Sequence, residues 1–168
     1  MEMVVLVDDL DTVIGEAPKD TVHSETTPLH RGFSVFVFNK NNELLLTQRS
    51  ARKKTFPGVW TNSVCGHPSP GESYEDAVKR RLFDELGYEG LGIRRAAQYR
   101  YRFADRSGIV ENEICPVFLA YSNSDPTPNP DEIDGWEWMP WNTFLTEIEK
   151  NPDVYSPWSR EEAKLITP

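Results

Sequence analysis

Long apolar runs are missing from this chain. The stretch 3–7 is five residues long, far short of the roughly 20 that a membrane-spanning helix needs. The N-terminus also lacks a basic region leading into an apolar segment and a small-residue cleavage site. Asp8, Asp9 and Asp11 follow Val7 directly, so no secretory signal is expected and a cytoplasmic location is. Cysteine is scarce, with only Cys65 and Cys115. Without an export signal, reduced thiols are favoured over a disulfide, and Cys65, in a polar stretch beside His67, is a candidate reactive group. Positive charge is in short supply too: 18 Lys and Arg against 27 Asp and Glu leave a net charge of −9. That excludes the broad positive surface of a nucleic-acid binder. A small anionic ligand held by a local basic cluster remains compatible with it, and Arg49, Lys53 and Arg81 are candidates.

No internal repeat and no linker is present, so residues 1–168 are expected to form a single domain. The most loop-like stretch, 122–131, is rich in Ser, Pro, Asn and Asp and predicts a surface connection. Apolar patterning predicts a strand at 4–7 and a hairpin of strands 33–38 and 43–48 around the turn 39–42. Extended chain is expected at 60–67. A helix is expected over 73–86, capped by Ser73 with Asp76 three residues on and stopped by Gly87. A second hairpin, 93–103 with 109–121, is predicted around residues 105–108, then a short strand at 136–139. Helices are expected at 142–150 and 156–165, the latter with Pro157 at its first position. Strands dominated by hairpins and interspersed with helices point to an α+β fold, an α/β sandwich with a mixed sheet between helices.

Three histidines are available, His23, His30 and His67. Glu111 and Glu113 lie two apart in an apolar strand, so both point to one face. Alone, that pair reads as a solvated face, and each histidine as a surface or satisfied-core residue. Together they make a nitrogen-and-oxygen set suited to Mg²⁺ or a first-row divalent ion. Residues 66–88, GHPSPGESYEDAVKRRLFDELGY, repeat the spacing of the Nudix box: Gly66, Glu72 after five intervening residues, Arg80 after seven more, then Glu85, Leu86 and Gly87. Arg81 and Asp84 stand where the box has glutamates, so the array that lets Nudix hydrolases hold several ions is incomplete.

PGVWTNSVCGHP (57–68), RYRFADRSGIVENEICPVF (100–118) and YSPW (155–158) resemble the type 1 isopentenyl-diphosphate isomerases over residues 23–158. The resemblance implies a Nudix-like mixed sheet flanked by helices. It implies interconversion of isopentenyl and dimethylallyl diphosphate by protonation and deprotonation through a tertiary carbocation. Carried over by residue, it implies a metal site of His23, His30, His67, Glu111 and Glu113, taking Mn²⁺, Zn²⁺ or Mg²⁺. Glu85 is implied to help hold a second ion, Mg²⁺, with the substrate diphosphate. Cys65 and Glu113 are implied as the acid/base pair, with Tyr101 assisting proton delivery and Trp158 facing the reacting carbons. Lys19, Arg49, Lys53 and Arg81 are implied as diphosphate contacts. No nucleic-acid or membrane partner is implied. The rival readings are a Nudix pyrophosphatase, which the substituted box argues against and which gives Cys65 no task, and a non-catalytic binding module.

Overall fold

The computed structural model describes residues Met1–Pro168. In chain order it runs β1 (Met3–Val7), β2 (Val13–Pro18), the short helix α1 (Lys19–Val22), β3 (His30–Arg31), β4 (Phe33–Phe38), β5 (Glu43–Arg49), β6 (Trp60–Thr61) and β7 (Val64–Gly66). Helix α2 (Tyr74–Leu86) follows, then β8 (Ile93–Ala97), β9 (Arg100–Ala104), β10 (Val110–Ile114), β11 (Val117–Tyr121) and β12 (Ile133–Pro140). Helices α3 (Trp141–Lys150) and α4 (Pro157–Glu162) close the chain.

The strands form two sheets. One has the order β2-β1-β3-β10-β9; the other runs β12-β5-β4-β11-β8, with β6 and β7 paired to β5 and β4. The pairs β3 with β10 and β4 with β11 are parallel, and the rest are antiparallel, so both sheets are mixed. All six residues of β4 are buried, because helices cover both faces of its sheet. On one face Val78, Leu82 and Leu86 of α2 pack with Phe33, Val35 and Phe118. On the other, Phe144 and Ile148 of α3 pack with Phe36, Leu44 and Leu119.

Helix α2 matches its expected ends. The Ser73 side chain accepts from the Asp76 N–H at 3.1 Å, and Gly87 adopts φ 70° while its N–H reaches the Phe83 carbonyl. Such a cap contributes about 1 kcal/mol.

Two expected hairpins are rearranged. β4 and β5 pair only next to their turn, at Phe38 and Leu44; beyond that β7 lies against β4, setting Cys65 opposite Ser34. The second hairpin is not one ladder. β9 and β10 pair in one sheet, and β8 and β11 pair in the other. The chain changes sheets at 98–99 and again at Cys115–Pro116, where proline offers no N–H to continue a ladder. It makes the same change at Gly32, between β3 and β4. All three crossings adjoin one another: the Gly32 N–H donates to the Ile114 carbonyl and the Cys115 N–H to the Tyr99 carbonyl. This junction, where two sheets diverge, is the floor of the site described next.

Candidate active site

Five polar side chains converge at the junction. His30 is on β3, Glu111 and Glu113 are on β10, His23 directly follows α1, and His67 directly follows β7. Parallel pairing sets Glu113 opposite His30. The imidazole centroids are 5.1 to 5.8 Å apart, and one ligand atom from each of the five residues lies within 4.8 Å of every other. All five are nearly or fully buried. Glu113 Oε1 is 2.9 Å from His67 Nε2, and His30 Nδ1 lies 2.9 Å from the Pro28 carbonyl, which leaves its Nε2 facing the cluster. His23 Nε2 and Glu111 Oε2 face each other at 3.2 Å, yet neither has a hydrogen-bond partner. Buried polar atoms left in this way are costly unless something else satisfies them.

A divalent cation would do so. Burial lowers His67 to about 4, which leaves a neutral imidazole. Burial also works to raise both glutamates, but the imidazoles beside them more than offset it. Glu111 is held below, and Glu113 well below, the usual carboxylate range. His67 and the two glutamates thus have the forms a metal ligand needs, whereas His30, which burial works to lower, is raised by its contact with Glu113, so a metal there would take the place of a proton. Gly32 makes room for the set: a Cβ there would lie 1.9 Å from Glu113 Oε2.

Beside the cluster a cavity of about 380 Å³ is lined by Cys65, Tyr101, Trp158, His67, Glu111 and Glu113. Tyr101 is the cross-strand neighbour of Glu113, and its ring stacks on Trp158 at 5.8 Å and 20°. Phe56 also meets Trp158, in a T-shaped contact at 5.0 Å. Trp158 is fixed in plane by its indole N–H, which donates to Asn62 Oδ1 at 3.2 Å. The same oxygen lies 3.4 Å from the sulfur of Cys65. Asn62 is locked in turn, its amide donating to the carbonyls of Val35 and Val64. Burial pushes the Cys65 thiol up to about 12 and holds Tyr101 well above the usual phenol range.

Lys19, Arg49 and Lys53 line the same cavity. Each already has partners: Lys19 bridges to Glu2, Lys53 to Glu132, and Arg49 donates to the Thr55 carbonyl while lying 5.5 Å over the Trp158 ring. Arg81 differs from the other three. It is buried on the inner face of α2, ion-paired with Glu85 and, at 3.3 Å, with Glu132, and it does not line the cavity. Glu85 stands with Arg81, outside the five-residue cluster.

Comparison with known proteins agrees with this geometry. The NUDIX domain family model matches residues 28–159. The chain is 51% identical to the isopentenyl-diphosphate Delta-isomerase of Paenarthrobacter aurescens, over 94% of this chain and 86% of that one. It is 46% identical to that of Saccharopolyspora erythraea, over 99% and 87%. The chain belongs to the type 1 isopentenyl-diphosphate isomerases. Among solved structures, one from Deinococcus radiodurans superposes with a TM-score of 0.81 at 25% identity, covering 99% of this chain and 100% of that one. The Escherichia coli dihydroneopterin triphosphate pyrophosphohydrolase superposes at 0.61 with 14% identity, over 79% and 91%, and shares the fold.

For an isomerase on a Nudix fold, the altered box has a structural explanation. The arginine at position 81 pairs with Glu85 and Glu132 inside the protein, and neither acid is among the five clustered residues. Several residues of the site carry no signal in the sequence. Ser34 acts through cross-strand register, Asn62 through its long-range bond to Trp158, Gly32 through a missing side chain, and Glu132 from just beyond the stretch 122–131 that composition marks as a loop. Gly32 alone had a local hint, being two residues beyond His30.

Proposed function

We propose that this chain interconverts isopentenyl and dimethylallyl diphosphate, and that Cys65 and Glu113 are the two groups that exchange protons with the substrate. One adds a proton to the terminal alkene and the other removes one from the carbon on the far side of the resulting cation. What carries this reading is the single cavity lined by Cys65, Tyr101, Glu113 and Trp158. The indole face of Trp158 stabilises a tertiary carbocation without attacking it, by roughly 0.5–2 kcal/mol. Tyr101, cross-strand from Glu113, holds the carboxyl in position and assists its proton transfer. Burial excludes the water that would quench the cation.

Lys19, Arg49, Lys53 and Arg81 neutralise the diphosphate. The first three reach it from the cavity wall, and Arg81 does so once substrate draws it from Glu132. Glu85 would help hold a Mg²⁺ ion together with the diphosphate. His23, His30, His67, Glu111 and Glu113 would hold a second divalent ion, Mn²⁺, Zn²⁺ or Mg²⁺, which would supply fixed positive charge beside the Glu113 carboxyl. Residues 1–168 act as one domain in the cytoplasm, and no nucleic acid or membrane takes part.

The test is to incubate metal-loaded protein with isopentenyl diphosphate and Mg²⁺ and assay for dimethylallyl diphosphate. The wild-type protein should form it, while Cys65→Ala and Glu113→Gln should each lose at least about 100-fold in kcat. Release of inorganic phosphate or pyrophosphate in place of the isomer would sink the reading.

A further inference from the structure

One fully buried acid stands outside the reaction described above. Glu162, the last residue of α4, has no exposed surface. Its Oε1 lies 2.8 Å from the Ser34 hydroxyl and 3.5 Å from the Cys115 sulfur, and its Oε2 has no partner. No lysine, arginine or histidine pairs with it. Removal from water without a cation pushes its carboxyl well above the usual carboxylate range, so the side chain is a neutral acid. Ser34 is the cross-strand neighbour of Cys65, and its oxygen lies 3.8 Å from that sulfur. A chain of contacts therefore leads from Glu162 through Ser34 to the Cys65 sulfur, and the same hydroxyl lies 3.4 Å from the Cys115 sulfur.

We propose that Glu162 is a positioning residue for Cys65, acting through the Ser34 hydroxyl. The proposal rests on the reading that Cys65 is one of the two proton-exchanging groups. A serine hydroxyl has one proton to donate and two lone pairs. A neutral carboxylic acid can accept or donate, so the pair has two arrangements. With Ser34 donating to Glu162, its lone pairs face Cys65 and can share the thiol hydrogen, which points to Asn62 Oδ1. With Glu162 donating to Ser34, the serine proton turns towards the sulfur. The first arrangement suits Cys65 with its proton, the second suits Cys65 after that proton has gone to the substrate. An ionised acid could only accept and would lock the first. A glutamine accepts and donates as a neutral acid does, whereas a methionine of similar size does neither.

The experiment measures steady-state isomerisation by the full metal-loaded chain for Glu162→Gln, Glu162→Met, Ser34→Ala and the double variant Ser34→Ala/Glu162→Met. The expected result is that Glu162→Gln stays within about twofold of wild type. Glu162→Met and Ser34→Ala should each lose about tenfold in kcat, the effect of one lost hydrogen bond in the transition state, with KM unchanged. The double variant should be no slower than either single one, because both changes break the same contact chain. Rates of Cys65 alkylation by iodoacetamide should shift in Glu162→Met and Ser34→Ala and not in Glu162→Gln. Should Glu162→Met fail to fold, Ser34→Ala alone decides. Wild-type kcat in Glu162→Met or Ser34→Ala, with Cys65→Ala inactive, overturns the proposal; so do additive losses in the double variant. An active Cys65→Ala protein would overturn the underlying reading of Cys65, and this proposal with it.

Discussion

Glu113 depends on a side chain that is not there. Its carboxylate lies against the backbone of Gly32, where a Cβ would come within 1.9 Å of Oε2. Gly32→Ala must displace the carboxylate, since a contact that short cannot be borne. A folded Gly32→Ala protein is therefore expected to bind a divalent ion about 10- to 100-fold more weakly, as for losses of ligand support generally, measured by isothermal titration calorimetry. Unchanged affinity would mean that Glu113 is not held as described. Glu162 supplies a second prediction. Its pKa is raised in the folded protein, so the folded state favours the protonated form more than the unfolded chain does. Its contribution to stability is fully present below the unfolded pKa, near 4.5, and is lost as pH rises towards the folded pKa. Glu162→Gln cannot titrate. It should raise Tm over wild type at pH 7, with the gain shrinking as pH falls to 4. A gain independent of pH would show that the acid is not neutralised on folding.

At the level of elements, what the sequence makes legible depends on how local the determining interactions are. Helix α2 was legible because its cap, apolar spacing and glycine stop all lie within fifteen residues. Its packing face is likewise local, and Leu82→Ala should cost about 2–5 kcal/mol in denaturant unfolding because Leu82 is buried against the sheet. A cost under 1 kcal/mol would remove Leu82 from the core. The strands read well as extended chain and poorly as partners. Residues 93–103 and 109–121 have continuous strand composition, yet each splits between two sheets at the crossing. β2 was unread because none of its residues is buried and it lacks an apolar face, and β3 because two residues carry no period. β3 nonetheless sets His30 opposite Glu113, through a parallel register between residues 83 apart, which no local pattern encodes.

Across the whole molecule, the net charge of −9 surrounds a site in which Lys19, Lys53 and Arg81 are paired before any substrate arrives. Lys19, Lys53 and Arg81 are balanced by Glu2, Glu85 and Glu132, which lets these positive groups lie in or beside the cavity without mutual repulsion. No helix is long and apolar enough to cross a membrane. The residues of the metal cluster were legible as a donor set, and the family resemblance named them. Their convergence was not, because it follows from two sheets diverging at Gly32, 98–99 and Cys115–Pro116. Of the four expected diphosphate contacts, three line the cavity and Arg81 is turned to carboxylates, a difference that depends on Glu132 arriving from a distant loop.

The central claim is that two separate groups of this cavity give and take the protons. Running the reaction in D₂O and examining dimethylallyl diphosphate by NMR tests it most directly. Two groups that exchange with solvent predict a product carrying one deuterium in a methyl group, formed by wild type and absent from reactions with Cys65→Ala or Glu113→Gln. Product formed at the wild-type rate without deuterium would mean that one proton is moved within the substrate, and would contradict the account.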